Sequence, residues 1–187
     1  AMRDFNEVGS VKPEVRAIVA VNPDSTLLPV ARSNGILVVG VFPTGGLISG
    51  RVGVIKLDGW TYEDMTANAN AGMVMNWPSV RDRHRVFGGG NRLTEDDVRE
   101  RLSRIDGLFD NAEAYRDARA VDPSVPIDLR LEAMLDLLPG AEDQKPLIIN
   151  ANEVERIQSA VTWAAGRGLR VVIQGGQDAP LLAELLK

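Results

Sequence analysis

A continuous apolar run near the start of the chain predicts a buried strand. Residues 36–42 read ILVVGVF and are followed by Pro43, a pattern typical of a parallel strand that is buried on both faces. A helix is predicted before it over residues 22–34, with Asn22 as N-cap and Gly35 as its left-handed end. The chain therefore passes directly from a helix into a core strand.

The middle of the chain combines short strands with a long amphipathic helix. Strands are predicted over 52–57 and 72–77, with a helical turn near 61–65, and together they indicate a small β excursion from the main architecture. Thr94 and Asp97 form the pattern of a capping box at the start of a long helix. The apolar residues that follow fall on one helix face: Val98, Leu102, Ile105, Phe109 and Ala112.

The last third of the chain alternates strands with helices. After a short helix over 127–138, the pattern predicts strand 146–150, helix 153–167, strand 169–174 and helix 178–186. Short strand–helix–strand connections favour a right-handed crossover between parallel strands. We therefore expect residues 1–187 to form a single α/β domain with a parallel sheet, either open and doubly wound or part of a barrel.

Composition narrows the chemistry. Among 187 residues there are 21 Lys plus Arg against 26 Asp plus Glu, without the basic excess that nucleic-acid or anionic-membrane binding usually requires. There is no cysteine and one histidine, His84, in the basic, glycine-rich segment 79–92, where a solvated mobile loop is expected. Common zinc and Ser or Cys hydrolase sites need more imidazole or thiolate groups than this. We expect a soluble protein, cytoplasmic or periplasmic, with no nucleic-acid or membrane partner.

Polar residues cluster where the predicted parallel strands end, which is where ligands bind in such folds. These candidate ligand-binding residues are Thr44, Ser49, Asn150, Asn152, Gln174, Gly175 and Asp178. Their amides, hydroxyls and backbone donors can orient a small neutral or anionic ligand. None is an obvious strong base, so no catalytic residue is predicted.

Each of these residues also has a structural interpretation. Asn152 and Glu155 match a capping box for helix 153–167, and Asp178 matches the N-cap of the last helix. The glycine pairs at the strand ends can simply permit tight turns. A nucleotide-binding domain is a weaker alternative, because no phosphate-binding glycine fingerprint occurs.

Two stretches resemble imidazolonepropionase-related members of the metal-dependent amidohydrolase superfamily. ARSNGILVVGVFPTGGLISGRVGVIKLDGWTYEDMT, residues 31–66, is similar to a barrel strand of that family with its glycine-rich loop and "LDGW" stretch. KPLIINANEVERIQSAVTWAAGRGLRVVIQGG, residues 145–176, resembles the family's "P-x-x-x-H-A-H" strand, the next helix, and the "L-R-x-V-x-x-H-G" strand. The resemblance implies a partial (β/α) TIM-like barrel, as a fragment or truncated form of an amidohydrolase-like barrel.

The departures from that family concern its metal ligands. Asn150 and Asn152 stand where the resemblance places two histidines, and Gly175 stands where it places the next. Amide oxygens bind transition metals poorly, and glycine has no side chain. We therefore expect a degenerate site with no metal or other cofactor in this chain. A zinc or other divalent ion is expected only in a longer parent protein. By itself the chain is expected to be an inactive pseudoenzyme.

The alternative is a non-catalytic α/β module that binds a small polar ligand. A homo-oligomer, or the missing remainder of the barrel, is the expected partner.

Overall fold

The computed structural model describes residues 9–78 and 93–187. Five strands form one sheet in the order of the sequence: β1 (Val38–Val41), β2 (Ile48–Lys56), β3 (Thr66–Asn76), β4 (Leu147–Ala151) and β5 (Val171–Gly175). The α-helices are α1 (Leu27–Ser33), α2 (Tyr62–Met65), α3 (Glu95–Val121), α4 (Leu129–Glu132) and α5 (Val154–Gly166), and short 3₁₀ turns cover Ala17–Ala20, Leu135–Leu137 and Ala179–Leu182. His84 and the glycine-rich segment 79–92 lie outside the described residues.

Four of the five strands run in the same direction. β2 is antiparallel to both β1 and β3, while β3, β4 and β5 are parallel to one another. The sheet curls into a half-barrel. This confirms the predicted α/β partial barrel, and the strands predicted at 36–42, 146–150 and 169–174 all run in the same direction. The β excursion differs from expectation in one respect, because β2 and β3 lie inside the sheet rather than beside it.

The prediction that strand 36–42 is buried on both faces is wrong. β1 forms an edge of the sheet, pairs only with the antiparallel β2, and is at most half-buried. Residues 11–16 pair with the same side of β2 as β1 does, but at the other end of that strand. Parallel bridges join Val11 to Ile48 and Arg16 to Arg51 there. β1 is therefore confined to one half of that edge.

Helix α1 begins later than the sequence predicted. Asn22 is not its cap; its side-chain oxygen accepts from the Asp24 backbone N–H in a separate turn. Pro29 explains the difference, because proline is tolerated in the first helical turn but would clash within a helix that started at residue 23. Two of its apolar side chains, Leu27 and Val30, are 73% and 58% exposed, so this short helix does not bury them in the core.

The main core lies between the sheet and helices α3 and α5. Trp163 of α5 is partly buried and packs against this core, with its ring 5.1 Å from Phe109 in an edge-to-face contact and 5.3 Å from Trp77. Its indole N–H donates to Asp106 at 2.7 Å, and the Arg167 guanidinium binds the same carboxylate at 3.0 Å. The two helices are thus joined by apolar packing and by a shared carboxylate at the rim of the core.

The later helices are shorter than predicted. The helix expected over 127–138 is divided into α4 and the 3₁₀ turn Leu135–Leu137. The helix expected over 178–186 is reduced to the 3₁₀ turn Ala179–Leu182, which leaves Leu181, Leu185 and Leu186 exposed. In the part of the chain that the structure describes, no helix is long and apolar enough to cross a membrane.

The free edge of the half-barrel leads to the first prediction. β5 forms the outer edge of the sheet and carries Val172, which is 49% exposed, and an uncovered edge strand favours pairing with another chain. We expect light scattering at micromolar concentration to give a mass above the 20.3 kDa of one chain. We expect Val172→Lys to lower that mass, because a charge on an edge strand disfavours pairing.

The control for this variant is Val121→Lys at the end of α3, where the valine is 88% exposed and lies away from the sheet edge. It is expected to leave the mass unchanged. A monomeric mass for the unaltered chain would contradict the prediction.

Candidate functional site

Three side-chain amides lie side by side where the parallel strands end. Asn76 of β3 is in register with Asn150 of β4, and Asn150 is in register with Gln174 of β5. Residues in register on parallel strands face the same side of a sheet, so the three form one row, which we call the amide row. Asn150 and Gln174 were expected at this edge from the sequence, whereas Asn76 was not.

The amide row lies on the inner face of the half-barrel. Alternate residues of β3 and β4, including Met75 and Ile149, pack into the core against the helices, so the intervening residues face the other side. There Val74, Ile148 and Val172 form an apolar row, in register, two residues before the amides. The partial exposure of Val172 shows that this face is open at β5.

A chain of hydrogen bonds connects the amide row to the turn before β2. Asn150 Nδ2 donates to Asn76 Oδ1 at 3.3 Å. Asn76 Nδ2 in turn donates to the carbonyl oxygen of Gly46 at 2.9 Å and to Ser49 Oγ at 3.2 Å. The fully buried Ser49 donates to the carbonyl oxygen of Gly45 at 2.7 Å. Ser49 is therefore an internal support of the row.

The turn that accepts these hydrogen bonds depends on two glycines. Gly45 and Gly46 have φ angles of 83° and 73°, in the left-handed region that favours glycine. A Cβ on Gly46 would also lie 2.8 Å from the Ser10 carbonyl oxygen. Thr44, the other candidate in this turn, is exposed. The glycine pair thus has a structural role, as its alternative interpretation proposed.

The loops after β4 and β5 are joined by close backbone contacts. The N–H groups of Gly176 and Asp178 donate to the carbonyl oxygens of Ala151 and Asn152, each at 2.9 Å. Gly175 has a φ of 91°, and a Cβ on it would lie 2.3 Å from Asn152 Oδ1. Asn152 therefore occupies the space that any side chain at position 175 would need.

Neither of the two predicted cap residues, Asn152 and Asp178, makes a side-chain capping bond to its own helix. The N-cap of α5 is Glu153, which makes no side-chain capping bond, and Asn152 packs on Gly175 instead. Asp178 is the N-cap residue of the 3₁₀ turn that follows it, as predicted, but makes no side-chain capping bond there. Its carboxylate accepts from the Val154 backbone N–H of α5 at 3.3 Å, so the cap of this helix comes from the next strand–loop connection.

A partly buried ion pair, absent from the sequence-based candidates, supports the same edge. Arg156 of α5 donates to the carbonyl oxygens of Trp77 at 2.6 Å and Asn150 at 3.4 Å, and its guanidinium lies 3.4 Å from Glu153. The two side chains are only 12% and 14% exposed. Arg156 Nε and Glu153 Oε1 are buried with no hydrogen-bond partner among the described residues.

Sequence patterns did carry indications of the two missed groups. Asn76 directly follows the apolar run of β3, as Asn150 directly follows that of β4, and this is the pattern that made Asn150 a candidate. Glu153 and Arg156 are an i,i+3 pair at the start of a helix. Such pairs are common on exposed surfaces. The pairing of β3 with β4 brings the carbonyl oxygen of Trp77 within hydrogen-bond distance of Arg156, and this contact cannot be read from the local sequence.

These residues do not fit a hydrolytic metal ion. Residues 9–78 and 93–187 contain no group of three His, Cys, Asp or Glu side chains that could hold one. Asn150 donates through its Nδ2 to the hydrogen-bond chain and carries only a neutral amide oxygen besides, Asn152 packs on Gly175, and Gly175 has no room for a Cβ. The three positions where the sequence resemblance places imidazole ligands therefore form hydrogen bonds and close packing instead.

Comparison with known proteins defines the fold. The chain is similar to the crystal structure of an amidohydrolase from Thermotoga maritima MSB8, with a TM-score of 0.79 and 20% sequence identity. The alignment covers 96% of this chain and 47% of that chain, so this chain spans about half the length of its structural neighbour. No family model and no curated protein matches the sequence. The fold is thus that of an amidohydrolase-like half-barrel.

The position of the helix cap gives the second prediction. Asp178→Ala removes the acceptor of the Val154 N–H, and we expect it to lower the free energy of unfolding by about 1 kcal/mol, the usual effect of losing an N-cap. Asp178→Asn keeps an acceptor oxygen and is expected to retain most of that stability. Urea unfolding measures both changes.

Asn152→Ala is the matched control at the position that the sequence favoured for the cap. Because Asn152 makes no capping bond, we expect this variant to lose less stability than Asp178→Ala. A larger loss for Asn152→Ala would show that the cap is not supplied by Asp178.

Proposed function

We propose that this chain is a non-hydrolytic, metal-free segment of an amidohydrolase-like barrel of the imidazolonepropionase-related kind. One observation carries the proposal: none of the three expected ligand positions offers a strong ligand, because Asn150 and Asn152 carry neutral amides and Gly175, packed against Asn152, has no room for a side chain. The similarity to the Thermotoga amidohydrolase supports the barrel fold. The side chains at these three positions do not support metal-dependent hydrolysis.

Ligand chemistry explains why the site would be inactive. A hydrolytic zinc ion needs about three strong protein ligands and an open position for the water that it activates. Neutral carboxamides suit hard cations better than zinc. The nearby carboxylate of Asp178 accepts a hydrogen bond from the Val154 N–H at the N-terminus of α5. The helix dipole stabilises a negative charge there, so the position of this carboxylate needs no metal to explain it.

Elemental analysis tests this proposal. After dialysis, we expect the purified chain to hold far less than one equivalent of zinc, manganese or iron, and to hydrolyse no cyclic amide when zinc is added back. About one equivalent of metal, lost in Asn150→Ala and kept in Asn111→Ala, would overturn the proposal. Asn111 is the control because it is an exposed asparagine on α3, away from the amide row.

The amide row favours a second candidate function, that of a non-catalytic module that binds a small polar ligand. Three in-register carboxamides above an apolar row form a surface with both polar and apolar groups on the open inner face. Gln174 is exposed, and its carboxamide makes no hydrogen bond within the described part of the chain. Saturable binding without turnover is the expected behaviour of such a module.

A further inference from the structure

The hydrogen bonds of the amide row all run in one direction. Backbone carbonyl oxygens only accept, so the carbonyl of Gly46 requires Asn76 to present its Nδ2 on that side. Asn76 must then present Oδ1 to β4, and Asn150 must donate to it through Nδ2. The glycine turn therefore determines the orientation of both carboxamides.

The consequence is an acceptor at the open end of the row. Because Asn150 directs its Nδ2 toward β3, its Oδ1 lies on the other side of the planar carboxamide, away from Asn76. This oxygen accepts no hydrogen bond from the described residues. The neighbouring cation, Arg156, is directed at backbone carbonyls and paired with Glu153, so it does not make the row a site for anions.

Gln174 supplies the complementary group. It is in register with Asn150 on the adjacent strand, about 4.8 Å away along the hydrogen-bonding direction of the sheet, and its exposed carboxamide carries both a donor and an acceptor. A single planar group that donates to Asn150 Oδ1 and accepts from Gln174 Nε2 satisfies both. The apolar row formed by Val74, Ile148 and Val172 lies beside it.

We propose that the juxtaposition of Asn150 Oδ1 and the Gln174 carboxamide above this apolar row binds neutral compounds that carry a carboxamide or ureido group on a short apolar chain. The proposal rests on the second candidate function and adds the class of ligand. A carboxylate has no N–H to offer and would place its lone pairs against Asn150 Oδ1, so anions are rejected.

The test compares three molecules of nearly the same shape. Butyramide has the donor and the acceptor, 2-pentanone replaces the NH₂ by a methyl group, and butyrate replaces it by a charged oxygen. Each is titrated into the full ¹⁵N-labelled chain while NMR follows the side-chain NH₂ signals of Asn150 and Gln174. We expect saturable shifts with butyramide and at least about fivefold weaker binding of the other two, the effect of one net hydrogen bond.

Two variants locate the binding. Gln174→Leu removes one partner at an exposed position and is expected to weaken butyramide binding about fivefold. Gln158→Leu makes the same exchange at an exposed position on α5 and is expected to have no effect. Thermal unfolding of both variants confirms that they keep the fold.

Each other outcome overturns a defined part of the reasoning. The ligand class is refuted if butyrate or 2-pentanone binds as tightly as butyramide or more tightly. It is also refuted if Gln174→Leu leaves butyramide binding unchanged. Neither result contradicts ligand binding itself. No saturable shift with any of the three refutes both the ligand class and the binding function. The absence of a metal site is judged separately by elemental analysis.

Discussion

The parallel register between β3, β4 and β5 is the constraint on which the rest of the structure depends. It places Asn76, Asn150 and Gln174 side by side, and it places Val74, Ile148 and Val172 in a row beside them. Side chains alternate along a strand, so a shift of one residue would turn the amides toward the helices and the core residues toward the open face. The candidate site therefore follows directly from strand pairing, without a dedicated loop to build it.

Buried polar groups around the site are satisfied mainly by backbone atoms. Ser49 and Asn76 donate to the carbonyl oxygens of Gly45 and Gly46, and Arg156 donates to those of Trp77 and Asn150. An unsatisfied polar group costs more than a hydrogen bond contributes, so these contacts restrict the amides to one orientation. The result is a row of neutral side chains with a defined donor and acceptor order, in a fold whose structural neighbour is an amidohydrolase.

The sequence predicted what depends on local periodicity and missed what depends on contacts between distant segments. The capping box of Thr94 and Asp97, the left-handed end at Gly35 and the parallel β4–α5–β5 unit follow from neighbouring residues and are confirmed. The exposure of β1, by contrast, depends on the edge that it shares with residues 11–16. Asn76 became a site residue only through its pairing with β4, which is separated from it by more than seventy positions.

The cap that Asp178 provides to α5 has a consequence for how this part of the chain folds. A helix begins with backbone N–H groups that need partners, and in α5 one of these partners lies beyond the following strand. The helix receives it only after the chain has passed through β5 and turned back. Helix α5 and strand β5 are therefore expected to become stable together in one cooperative step, with neither persisting long as an isolated intermediate.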